Sequence, residues 1–221
     1  STLLYPKHSR FTALKKYIQT AGIRYVFVQA IKVLFFQVGS LIYPLLFPRN
    51  HNNILYPYKK LLRDPSILHH TLNINSKDMI QLVESIKPDV FVSVLSNQII
   101  KDDILRIPKY GTVNMHPALL PAYRGVSPTF WVLANQEKRA GVSIHTITDK
   151  EIDKGKLVGQ KIIPIYESDS EHTLYLRCIT QGTPLLISTL HALVKKQIPT
   201  LPAKKIKPSY HSLPTKEAIR R

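Results

Sequence analysis

The run Val90-Phe-Val-Ser-Val-Leu95 most narrows what this chain can become. Apolar side chains fall on both sides of the strand it forms, so both faces must be covered. A strand of that kind belongs in a parallel sheet with helices on either side. The flanking segments supply them. Asn75-Ser76 caps Lys77–Ile86, where Met79, Ile80, Leu82, Val83 and Ile86 recur with helical period. Asp102 to Ile107 makes a helical turn, and Gly141 to Ile147 and Leu157 to Ile165 read as further strands. From Thr173 to Lys196 an apolar stripe through Leu174, Ile179, Leu186 and Leu193 predicts one helix, or two broken at Pro184. The expected fold is a three-layer α/β domain with a mostly parallel sheet.

Between these elements lies Gly111-Thr-Val-Asn-Met-His-Pro-Ala-Leu-Leu-Pro-Ala-Tyr-Arg-Gly125. Thr112, Val113 and Met115 suit a buried strand, and Pro117 ends it. Side chains alternate along a strand, so Asn114 and His116 point to one side. An amide and an imidazole thus stand together at the carboxyl end of a strand, where open α/β sheets bind ligands. Tyr123 and Arg124 are left to face a ligand or solvent. About forty residues on comes Ile152-Asp153-Lys-Gly155-Lys-Leu-Val-Gly-Gln160.

Both stretches resemble signatures of the folate-dependent formyltransferases, the second matching that family's Asp-x-Gly segment. The resemblance runs from about Ile67 to Lys196 and implies a Rossmann-like formyltransferase domain. It implies transfer of a formyl group from 10-formyltetrahydrofolate to a primary amine, foremost one on a nucleotide-linked amino sugar. Asn114 would donate to the oxyanion, His116 would take the amine proton, and Asp153 would orient His116 or a water. For the folate it implies Leu95, Asn97, Gln98 and Ile99 from one loop, with Ile147, Thr148 and Ile152 from another. Tyr123 and Arg124 would meet the amine substrate. His145 matches a frequent family histidine near the folate. Two departures stand out: Ala118 occupies a position where many members carry serine, and the run from His145 to Asp153 is one residue longer than usual. Family members also open with a strand and a glycine-containing loop. Ser1 to Arg10 shows neither, so the first βα unit is expected to be missing.

The chain reads as residues 1–66 with an apolar helical insert, a catalytic core over 67–196 and a basic tail over 197–221. Within the insert, Ile23 to Phe47 is mostly apolar and nearly long enough to span a bilayer. Lys32 sits in its middle with no acid in the segment to pair with it. Gly39-Ser40 and Pro44 predict a break into a helix of about 15 residues and a shorter piece. The expectation is a buried or partner-covered helix of a soluble protein, with a homodimer through 23–47 as its corollary; an interfacial contact with a membrane comes second and a span last.

The 221 residues carry a net charge of +17, which favours acidic partners such as nucleic acid, phosphorylated small molecules or an anionic membrane face. By composition, the tail reads as solvated. Cys178 is the only cysteine, which excludes a disulfide framework and points to the cytoplasm, or to the inner face of its membrane. No phosphate-binding loop, dinucleotide fingerprint or zinc spacing occurs, so no metal is expected. Alternatives are a methionyl-tRNA formyltransferase-like enzyme, a formyltetrahydrofolate hydrolase and a non-catalytic interaction module. Nucleic acid is the less favoured partner, because the tail is too short for a further RNA-binding barrel.

Overall fold

The structure, a computed structural model, describes residues 10–47, 69, 71–94, 96, 98–197, 201 and 206–220. Helices α1 (Arg10–Ala21) and α2 (Ile23–Leu46) come first, then α3 (Lys77–Ile86), β1 (Phe91–Val94), α4 (Asp102–Leu105) and β2 (Thr112–His116). After them run β3 (Arg124–Gly125), α5 (Pro128–Ala134), β4 (Arg139–Ile147), β5 (Leu157–Pro164), α6 (Glu171–Val194), β6 (Tyr210–His211) and α7 (Lys216–Arg220). The main sheet has the order β1-β2-β4-β5. β1 pairs parallel with β2, whereas β4 is antiparallel to both its neighbours. Three of the four strands therefore share one direction, and only β4 is reversed.

The two faces of this sheet differ in chemistry. Val113, Met115, Val142 and Ile144 lie on one face and join Leu174, Cys178, Leu186 and Leu193 of α6 in the core. α6 comes close: a Cβ at Gly182 would stand 2.8 Å from Val142 and 2.9 Å from the Met115 sulfur. The Cys178 thiol is buried there and pushed up to about 12 by that burial, so it is a packing group. The other face carries Ser93, Asn114 and His145 side by side across three strands, followed by His116 opposite Ser143. Those polar groups define the site.

Local signals were overridden in three places. Pro184 does not break α6. It lies on the exposed side with Thr180, so its ring stays off the sheet while both halves of the helix pack there. α2 likewise runs unbroken through Gly39-Ser40 and Pro44. β1 buries only Ser93 well, and Val92 and Val94 are exposed, because among the described residues β1 is the edge strand of the sheet.

Residues 206–220 are no free tail. β6 adds beside β3, and Leu213, Pro214 and Ala218 are buried. The His211 ring stacks on Tyr123 at 5.1 Å and lies 4.8 Å from Trp131, whose Nε1–H donates to the Ser212 carbonyl.

Candidate active site

β2 ends at His116, and the loop after it is pinned from beneath. Ser143 Oγ donates to the Ala118 carbonyl and accepts from Leu120 N–H, and Gln160 Nε2 donates to the Leu120 carbonyl. The loop is thus anchored by a serine from β4 although residue 118 lacks a hydroxyl. It then turns through Tyr123, whose φ is 58°. That turn aims the Tyr123 carbonyl at His116 Nε2, 2.8 Å away.

A carbonyl can only accept, so Nε2 of His116 carries the proton. Nδ1 is then the basic nitrogen, and it faces Asp153 Oδ2 at 3.6 Å. His116 is 5% exposed. Burial lowers its pKa below the ordinary 6.5, outweighing the opposite pull of Asp153, so the ring is neutral at neutral pH. Asp153 sits at a positive φ in a tight turn. Gly155 allows this: a Cβ there would overlap the Thr146 carbonyl on β4. Burial raises the Asp153 pKa, but His145, His116 and the Gly125 N–H together hold it below the usual carboxylate value. The Gly125 amide donates to Oδ2 at 2.9 Å.

His145 completes the group. Its Nδ1 lies 2.9 Å from the Thr146 carbonyl. Its Nε2 is 3.1 Å from Asn114 Nδ2 and 3.3 Å from Asp153 Oδ1. Asn114 Nδ2 also donates to Asp153 Oδ1 at 3.3 Å. A carbonyl oxygen entering here would compete for an N–H already aimed into the site. The set therefore holds an amide donor, a neutral base and an anion that stabilises the charged base, the components of acyl transfer to a nucleophile. Among the described residues no trio of His, Cys, Asp or Glu is arranged to hold a metal ion.

Asn114, His116 and Asp153 open on a cavity of about 490 Å³. Gln98, Ile99, Ile147, Thr148 and Ile152 line it too. Gln98 is largely spent on backbone, accepting from Ile74 N–H at 2.8 Å, so it braces the loop. Leu95 and Asn97 lie outside the described residues. Tyr123 and Arg124 do not line the cavity. The positive φ turns the Tyr123 ring inward, where its hydroxyl donates to Glu137 at 2.6 Å and is pushed up to about 12 chiefly by burial. Arg124 is held along β3, its Nε donating to the Ser209 carbonyl. The loop serves the site through the Tyr123 carbonyl and Gly125 amide instead.

The sequence reading did not assign Ser93, nor the far wall formed by Tyr17, Gln29 and Lys32 with Glu171 and Tyr175. Ser93 had a signal, as the one polar residue in an apolar strand. The far wall had none, since it joins segments from opposite ends of the chain.

A family model described as formyl transferase matches residues 57–190, more than half of the chain. The chain belongs to the formyltransferase family. It is 39% identical over 140 residues to the bifunctional polymyxin resistance protein ArnA of Wigglesworthia glossinidia brevipalpis, covering 63% of this chain and 21% of that protein. It is 36% identical over 139 residues to methionyl-tRNA formyltransferase of Pelotomaculum thermopropionicum, covering 63% and 44%. The chain thus spans less than half the length of these formyltransferase relatives. Among solved structures it resembles a sugar N-formyltransferase from Shewanella sp. FDAARGOS_354, with a TM-score of 0.54 and 27% identity over 64% of this chain and 55% of that one. It also resembles the formyltransferase PseJ of Anoxybacillus kamchatkensis, solved with UDP-4,6-dideoxy-4-formamido-L-AltNAc and tetrahydrofolate. There the TM-score is 0.53 and the identity 27%, over 66% and 72% of the two chains.

Proposed function

We propose that this chain transfers a formyl group from 10-formyltetrahydrofolate to the primary amine of a nucleotide-linked amino sugar, in the cytoplasm. The observation that carries the reading is the buried His116, with Nε2 satisfied by the Tyr123 carbonyl and Nδ1 directed at Asp153 beside Asn114. The cavity fits a folate. Its volume lies in the range of small-molecule pockets, and Ile99, Ile100, Ile147 and Ile152 give an apolar slot for a flat ring. Bound there, the folate supplies the formyl carbon. His116 Nδ1 takes the proton that the attacking nitrogen loses and returns it to the folate nitrogen as the folate–formyl C–N bond breaks, and the Asp153 carboxylate at 3.6 Å stabilises the imidazolium in between. Asn114 Nδ2 gives its N–H to the carbonyl oxygen as that oxygen gains charge.

The acceptor class is supported by the two sugar-modifying structures, which match over about two thirds of this chain. Initiator methionyl-tRNA is the second reading, favoured by the 36% identity to a methionyl-tRNA formyltransferase. The test is a panel with 10-formyltetrahydrofolate as donor and nucleotide-linked amino sugars, methionyl-tRNA or water as acceptor. Formylation of a sugar nucleotide is the expected result. Exclusive formylation of the tRNA, or tetrahydrofolate release with water alone, refutes the sugar assignment.

A further inference from the structure

The amphipathicity of α2 is inverted. In a soluble protein a surface helix turns its apolar stripe to the core and its polar residues to water. In α2 the polar edge, Tyr25, Gln29 and Lys32, faces the body of the protein. Tyr25 donates to Glu171 at 3.4 Å and packs edge-on against Phe130, while Gln29 and Lys32 line the cavity. Glu171 of α6, and no residue of the helix itself, offsets the Lys32 charge. The opposite arc is open: Phe27 is 64%, Leu34 59% and Leu41 73% exposed. These three are spaced by seven residues, so at about 3.6 residues per turn they mark the centre of one continuous apolar surface, which Ile23, Ile31, Val38 and Leu45 extend.

We propose that α2 docks in the plane of an anionic lipid bilayer, its apolar arc in the acyl boundary and its polar edge forming the cavity wall. Charge selects this occupant. α1 and α2 together contain no acidic residue. Lys15, Lys16 and Arg24 are exposed along them, and Lys216 of α7 lies against the junction at Gly22. A face of that sign repels a second copy of itself and attracts anionic headgroups. α2 is long and apolar enough to cross a membrane by length and composition. Its polar edge nevertheless contacts Glu171 and the cavity, which a helix surrounded by lipid would not allow, so it lies in the interface. This inference does not depend on formyl transfer.

The experiment is co-sedimentation of the full chain with vesicles of phosphatidylethanolamine and phosphatidylglycerol, and with vesicles of phosphatidylcholine alone. The expected result is binding to the anionic vesicles, at least tenfold weaker binding to phosphatidylcholine, and release by carbonate. The triple variant Phe27→Gln/Leu34→Gln/Leu41→Gln changes only exposed positions and keeps its circular dichroism while losing at least tenfold in partitioning. Lys15→Glu/Arg24→Glu loses the preference for anionic lipid. A wild-type protein that stays in the supernatant overturns the proposal. So does one that resists carbonate, which is a span, and so does a dimer that the triple variant splits without any vesicle binding.

Discussion

Replacing Asp153 by asparagine separates electrostatics from shape. The amide keeps an oxygen to accept the Gly125 N–H, so the turn at residue 153 survives. What disappears is the negative charge 3.6 Å from His116 Nδ1. At that distance and an effective dielectric constant of about 20, the attraction for an imidazolium is about 4.6 kcal/mol. It acts only when His116 holds the transferred proton, so it stabilises the transition state and not the ground state. At about 1.4 kcal/mol per power of ten, Asp153→Asn lowers kcat by about 10³ and leaves KM within a few-fold. The same charge raises the His116 pKa against the larger effect of burial. Removing it lets the pKa fall further, so the acid limb of the kcat/KM profile moves to lower pH. The assay is tetrahydrofolate release with the accepted amine across the pH range, alongside a thermal melt. A folded variant within threefold of wild type, with an unmoved acid limb, refutes the reasoning and makes Asp153 a turn-forming residue.

His116→Ala loses about 10²–10⁴ in turnover yet still binds a non-donating folate, read by calorimetry. Gly155→Ala drives a methyl group into the Thr146 carbonyl, and overpacking of this kind costs about 1–3 kcal/mol. Its melting temperature falls, and kcat falls with it as Asp153 shifts. Asp169 accepts two bonds of 2.6 Å from Arg177, which hold its carboxyl at about 2 against an ordinary 3.8. A carboxyl with a depressed folded pKa stabilises the fold above its unfolded pKa and loses that contribution as pH falls toward 2. Asp169→Asn therefore lowers the melting temperature at pH 7, and the difference from wild type closes in acid.

Asn114, His116 and Asp153 were legible because the strand period and the ending at Pro117 act over a few residues, and because Asp153-Lys-Gly155 repeats a family segment. The role of His145 was only half visible. Alternation places it on a strand, but its position opposite Asn114 follows from the antiparallel register of β2 and β4, which no local signal fixes. Tyr123 misled for a conformational reason, since a positive φ reverses where its ring and carbonyl point. Ser209 to Pro214 carry no periodicity, so their seat on Tyr123 and Trp131 depends on β3 being already in place. In α2 the breaker residues were outweighed by a continuous helix whose partner for Lys32 lies on α6.

Because Gln29 and Lys32 belong to the same helix as Phe27 and Leu34, one rigid element has a surface in the cavity and a surface outside it. Any ligand that touches Gln29 or Lys32 binds more tightly when α2 is seated, and by reciprocity whatever seats α2 from outside tightens that ligand by the same factor. The wall of the pocket is therefore also its control point. Substitutions at Leu34 or Leu41, remote from every reacting atom, will show up as changes in the affinity for a ligand that reaches Gln29 or Lys32, while the proton chemistry at His116 stays as it was.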